Sequence, residues 1–161
     1  MKGIGAFCLA VLLVFTGCKT GKPDTKNPEN NGKLLLTMER TPCFGGCPIY
    51  EIKVYESGLL LYNGKRFTPK TGCWYTKVSK ADIKALKAVF HMEGFMEMDA
   101  EYPRGKKAPV DLPGCVLTYY YNANEPKKVT DKGWDSPEPL KRLQARVDSL
   151  AAPEKLRSCD K

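Results

Sequence analysis

From Leu34 to Glu39 the chain alternates: Leu34, Leu36 and Met38 fall on one side, and Leu35, Thr37 and Glu39 on the other. Period two is the pattern of a strand with one covered face, here ending near Arg40. Ile49 to Glu56 repeats it, with Tyr50, Ile52 and Val54 set against Glu51, Lys53 and Tyr55. Ser57-Gly58 turns the chain into Leu59–Tyr62 as a hairpin partner, and Asn63-Gly64 is a second turn dipeptide suited to positive φ. Trp74 to Val78 supplies a fourth strand. The period then lengthens. Ser79-Lys-Ala-Asp82 fits a capping box, and Ile83, Leu86 and Phe90 fall on one helical stripe that ends by Gly94. Asp99 to Gly114, interrupted by Pro103, Pro109 and Pro113, reads as an exposed loop. Val116–Tyr121 and Lys127–Asp131 are strands joined by a turn at residues 122–126. Asp135 or Ser136 then caps a closing helix with Pro137 in its first turn and Leu140, Leu143, Val147 and Leu150 inward. The expected fold class is α+β: an antiparallel sheet of about six strands, in β4-α-β2-α order, with two helices on one face. Residues 33–150 form the single domain, and residues 151–161 read as a loose polar tail.

The segment before that domain follows a different pattern. After Lys2, Ile4 to Phe15 is an almost unbroken apolar run of twelve residues. As a helix it spans about 18 Å, short of a hydrocarbon core of about 30 Å. That length suits the apolar region of a secretory leader over residues 1–17. Phe15-Thr16-Gly17-Cys18 resembles a bacterial lipobox, in which small residues precede a cysteine that is lipidated and becomes the new N-terminus. Phe15 replaces the usual aliphatic residue. Residues 18–32 then contain no aliphatic or aromatic side chain after the lipid cysteine, as expected of a solvated tether. These features predict a lipid-anchored protein of the bacterial cell envelope. Lys19 after the cysteine resembles the sorting state for an outer membrane, with the domain facing the periplasm.

Composition narrows the chemistry. Hydrophobic residues make up 42% of the 161, enough for a packed core. Twenty-six basic side chains face 18 acidic ones, and of the net +8 only Lys2 lies within residues 1–17. The cations are dispersed over several segments without a nucleic-acid recognition signature, so a solvated surface near anionic headgroups is expected and nucleic acid is not. His91 is the single histidine, which excludes sites needing two imidazoles. No serine elbow, P-loop or dinucleotide fingerprint occurs, and no carboxylate pair is placed for acid–base work.

Arg40-Thr-Pro-Cys43-Phe-Gly-Gly-Cys47-Pro48-Ile-Tyr50, followed by an alternating strand and a hairpin, resembles the domain of unknown function 6438 family of bacterial envelope proteins. Later features agree: a helix ending in Phe95, then Tyr102, Asp111-Leu-Pro113 and a closing helix. The resemblance spans nearly all of the folded region and implies no assigned reaction, ligand or cofactor. Arg40, Tyr50 and Asp111 stand in its recognisable segments and are the candidate binding residues. Arg40 and Asp111 fit either a structural ion pair or part of a ligand groove.

Seven cysteines remain to be placed, and Cys8 goes with the leader. In an oxidising envelope, Cys43 and Cys47 are expected to form a disulfide, with Gly45 and Gly46 freeing the loop between them. Cys73 and Cys115 each begin a strand and are the expected second pair, which leaves Cys159 over. The competing reading is a thiol-redox or copper site, because C-x-x-x-C-P is similar to the motif of copper-delivering thioredoxin-like proteins. His91 would be its third ligand. Against it, Pro48 leads into a strand and not a helix N-terminus, where a thiol pKa would be lowered. A four-cysteine zinc site lacks the paired spacing of a ribbon. The sequence therefore predicts a binding or structural module with no catalytic residue, no metal and no cofactor. Its partner is a membrane, reached through the lipid.

Overall fold

The computed structural model describes residues 23–25, 27–105, 107–121 and 125–159. The leader expected over residues 1–17 and the lipidation expected at Cys18 lie outside the described residues. Of the tether, the part that is described holds a 3-10 turn at Pro28–Asn31, and the Asn27 amide donates to Asp24 Oδ1 at 2.8 Å.

Four strands come first: β1 (Leu34–Arg40), β2 (Ile49–Tyr55), β3 (Leu59–Arg66) and β4 (Gly72–Lys77). Helix α1 (Lys80–Met92) follows, then β5 (Glu101–Tyr102), β6 (Cys115–Tyr119) and β7 (Lys127–Asp131). Helix α2 (Glu138–Leu150) and β8 (Arg157–Ser158) close the chain. All eight strands belong to one sheet in the order β5-β7-β6-β1-β2-β3-β4-β8. Only the β5–β7 pairing is parallel.

The register explains the core. Leu36 pairs with Val54 and Tyr119, Met38 with Ile52 and Leu117, and Leu117 with Val129. Directly opposed residues point the same way, so these side chains line one face. The stripes Ile83, Leu86, Phe90 and Leu140, Leu143, Val147, Leu150 close on that face in a single cluster. Phe90 stacks on Tyr119 and meets Phe95 edge-on. The opposite face carries Thr37, Glu39, Glu51 and Lys53, and among the described residues neither helix packs on it. Every member of the core cluster lies between Leu35 and Leu156, and both disulfides close within residues 43–159. The described residues of 23–159 thus carry a core cluster and both bridges of their own.

Several expectations change. The sheet has eight strands, not about six, because β5 forms inside the stretch read as loop and β8 inside the stretch read as a loose tail. That tail is tied down: Leu156 is buried and β8 pairs with β4. Asn63-Gly64 is not a turn, since β3 runs through it to Arg66. Leu35, placed outward by strict alternation, is buried because the register shifts between Leu34 and Leu36. Ser79 caps α1 as expected, accepting from the Asp82 amide at 3.0 Å. The α2 cap falls on Pro137, without a side-chain hydrogen bond.

Candidate functional site

One end of the sheet gathers the loops that carry the recognisable segments. The β1–β2 loop (residues 41–48), the β3–β4 loop (67–71), the segment 103–114 before β6, and the segment 132–137 after β7 all emerge there. Cys43 and Cys47 are bridged with Cα atoms 5.8 Å apart, which closes the tip of the first loop. Gly45, at φ 150°, lets the chain reverse inside that ring. The Phe44 amide donates to the Asp111 carbonyl at 3.1 Å, and the Phe44 ring is 89% exposed. Thr41 and Gly114 exchange two hydrogen bonds, Thr41 N to Gly114 O and Gly114 N to Thr41 Oγ1. Gly133 lies so close to Pro113 that a Cβ there would sit 2.2 Å from the proline carbonyl oxygen. The segments 41–48, 103–114 and 132–137 therefore brace one another, mostly through backbone groups.

Below them runs a row of cross-strand neighbours on the helix-covered face. Tyr50, Arg40, Cys115 and Asp131 stand side by side on β2, β1, β6 and β7. Helix α2 lays Gln144 and Asp148, one turn apart, over this row. Arg40 donates to Gln144 Oε1 at 2.8 Å and to Asp148 Oδ2 at 2.7 Å. Tyr50 donates to Asp148 Oδ1 at 2.6 Å. Gln144 donates to Asp131 Oδ2 at 2.7 Å, while Gly133 N and Ser136 Oγ donate to Asp131 Oδ1. Burial, reinforced by Asp148, pushes the Tyr50 hydroxyl well above the usual phenol range, so it stays a donor. Each charged group here is engaged by another side chain. The arrangement ties α2 to the sheet, with the Arg40 and Asp148 side chains still partly open to solvent.

Arg40 and Tyr50, both singled out by sequence, thus meet through a shared partner. Asp111 does not join them. It offers its backbone carbonyl to Phe44 and adopts φ 68°, so the alternative of an Arg40–Asp111 ion pair is corrected to Arg40–Asp148. Asp148, Gln144 and Asp131 were missed. Their signal was faint: two polar residues at i and i+4 beside the apolar stripe of α2.

The cysteine pairing also changes. Cys43–Cys47 forms, but Cys73 pairs with Cys159 and not with Cys115. Cys115 faces the helices, whereas Cys73 points to the opposite face four strands away, about 19 Å across the sheet. The β8 strand instead brings Cys159 beside β4, where its amide donates to the Cys73 carbonyl. Cys115 is a buried free thiol, and burial pushes its pKa up to about 12. In the fragment 23–159, alkylation should label no cysteine in the native state and Cys115 alone in denaturant. Peptide mapping that found the label on Cys159 would overturn the pairing. Because the folded thiol holds its proton above the ordinary 9.0, the stability it confers is full below pH 9. It is lost as pH climbs toward 12, so Cys115→Ala should show a shallower alkaline decline.

His91 is remote from this end. It lines a cavity of about 490 Å³ with Leu35, Phe90, Tyr119 and Tyr121, where β1 begins, while Cys43 follows the end of β1. The third ligand required by a copper site is thus on the wrong side of the domain. Among the described residues no cluster of three metal-ligating side chains occurs. Likewise, among the described residues, no helix is long and apolar enough to cross a membrane. No curated protein shows significant similarity to the chain. Residues 34–151, from the start of β1 to just past α2, match the family described as Domain of unknown function (DUF6438), and the chain belongs to that family.

Proposed function

We propose that this chain is a non-catalytic binding module of the bacterial envelope, lipid-anchored through Cys18, and that the loop end of its sheet is the binding surface. The observation that carries the reading is Phe44, a large apolar side chain held 89% exposed on a disulfide-closed loop that the Asp111 backbone braces. Phe44 is the most exposed large apolar side chain among the described residues, and the disulfide and the Asp111 carbonyl hold its loop in place without burying the ring. The saturated network beneath it supports rigidity over chemistry, because a preorganised surface loses less entropy on binding. Residues 1–17 serve as the secretory leader, and residues 18–32 supply the reach from the membrane. The thiol-redox or copper alternative has less support, since Pro48 leads into β2 and not a helix N-terminus, and His91 lies at the far end.

Fractionation of the full chain expressed in a bacterium with a lipoprotein pathway tests the anchor. The wild type should resist a high-salt wash of the membrane fraction and carry an acyl addition on Cys18 by intact mass. Cys18→Ser should be released by that wash essentially completely. A Cys18→Ser protein that stays with salt-washed membranes, or a wild type lacking the added mass, ends the lipid-anchor reading.

A further inference from the structure

We propose that the loop end docks directly on an anionic lipid bilayer, its apolar tips entering the headgroup region and its cations contacting lipid phosphates. The inference rests on the loop end being the binding surface and names its partner.

Seven large apolar side chains are exposed among the described residues, and four of them, Phe44, Phe67, Val110 and Trp134, stand on these loops. They occur on four separate tips spaced along the sheet from β7 to β3, a row about 19 Å long. A protein hot spot gathers its apolar groups into one contiguous patch with pockets. Separate projecting tips suit a surface that yields around each of them.

The cations fit the same partner. The described parts of the loops carry Lys70, Arg104, Lys107 and Lys132 against Asp111 and Asp135, and Arg66 adds a fifth cation at the end of β3. Two cations sit on aromatic rings: the Arg66 guanidinium carbon is 4.8 Å from the Phe67 ring centroid, and Lys70 Nζ is 3.9 Å from that of Trp74. Ring and cation are thus presented together, an apolar body with a charged rim, as at a membrane interface. Arg104 and Lys132 also pair with Asp99 and Glu101, at exposed positions where the bridges exchange readily with lipid phosphate. The tether permits this pose. The seven-residue β1 runs about 23 Å from Leu34 to the loop end, and fourteen residues from Lys19 to Gly32 reach at most about 50 Å.

The test is flotation of the fragment 23–159, which carries the whole core, with two kinds of vesicle. One is phosphatidylcholine alone, and the other is phosphatidylcholine and phosphatidylglycerol in equal parts. The fragment should float with the anionic vesicles, lose most of that binding in high salt, and show blue-shifted tryptophan emission that Trp134→Phe diminishes, Trp74 being the other tryptophan. Lys70→Gln with Lys107→Gln should lower the partition coefficient about 25-fold, about fivefold for each cation near an anionic surface. Phe44→Ser with Val110→Ser should lower it about tenfold or more while thermal unfolding stays put, since both side chains face solvent. Equal binding to the two vesicles, binding indifferent to both double variants, or no binding overturns the proposal. A photocrosslinker at position 44 of the full chain in cells then tells the two failures apart. Adducts with lipid support docking, adducts with one protein overturn it while keeping the loop end as the binding surface, and no adduct removes both.

Discussion

Cys159→Ser should lower the unfolding free energy by about 4 kcal/mol, the largest loss expected from any single side chain discussed for this domain. The reason lies in the denatured chain. Cys73 and Cys159 are 86 residues apart, and in the loop-closure estimate a bridge of that span removes entropy worth about 4–5 kcal/mol from the unfolded state. The Cys43–Cys47 bridge spans four residues, for which the same estimate gives about 2 kcal/mol. The two bridges therefore do different work: one staples the β8 tail and most of the chain to β4, and the other shapes a tip. Guanidinium unfolding of the fragment 23–159 measures both. The denaturant slope should rise for Cys159→Ser, because the freed chain exposes more surface on unfolding. A Cys43→Ser/Cys47→Ser variant should change stability about half as much. Equal losses for the two would show that the long bridge does not close as assigned.

That staple also shows where sequence reasoning reaches its limit. The six longer strands and both helical stripes were legible because periods of two and of 3.6 are local, and Leu36, Met38, Ile52 and Val54 each carry the signal within a few residues. β5 and β8 are two residues long, too short to have a period at all. Asn63-Gly64 misled for a different reason. Gly64 is required not for a turn but because the Lys70 carbonyl approaches to 1.9 Å of where its Cβ would be. A glycine demanded by close backbone packing and one demanded by positive φ look alike in a sequence. Cys73 and Cys115 both begin strands, so position along the chain favoured their union. Only the strand order, with β6 and β4 four places apart, separates them.

The site followed the same rule. Arg40 and Tyr50 were found because they flank a recognisable segment, but Asp148 lies 108 and 98 residues beyond them. Nothing in α2 announces that its polar edge, and not Asp111, meets that pair. What the motif did convey was place. Phe44 and the Cys43–Cys47 ring sit directly above the row that α2 locks, so the recognisable segment marks a braced projection and its foundation together.

Asp148→Ala should destabilise the domain by about 2–3 kcal/mol and leave the loops at that end of the sheet in place. The substitution strips Arg40 of one of its two acceptors and Tyr50 of its acceptor, leaving a guanidinium and a hydroxyl poorly satisfied under α2. Breaking a fully buried ion pair costs about 3–5 kcal/mol. The Arg40 and Asp148 side chains retain 26% and 32% exposure, so water relieves part of that cost. Tyr50→Phe keeps the ion pair and should lose only about 1 kcal/mol. Replacing Arg40→Met with Tyr50→Phe and Asp148→Leu removes the ion pair and the hydroxyl together, and leaves the Gln144 Oε1 atom as the one acceptor that loses its Arg40 donor. It should recover most of the Asp148→Ala loss, because an apolar substitute of similar volume needs no desolvation of charge. Thermal and guanidinium unfolding of the four proteins settle the point. If the apolar triple variant were less stable than Asp148→Ala, the network would contribute net stability beyond satisfying its own members. If Asp148→Ala cost under about 0.5 kcal/mol, in the range of exposed pairs, it would not brace α2 at all.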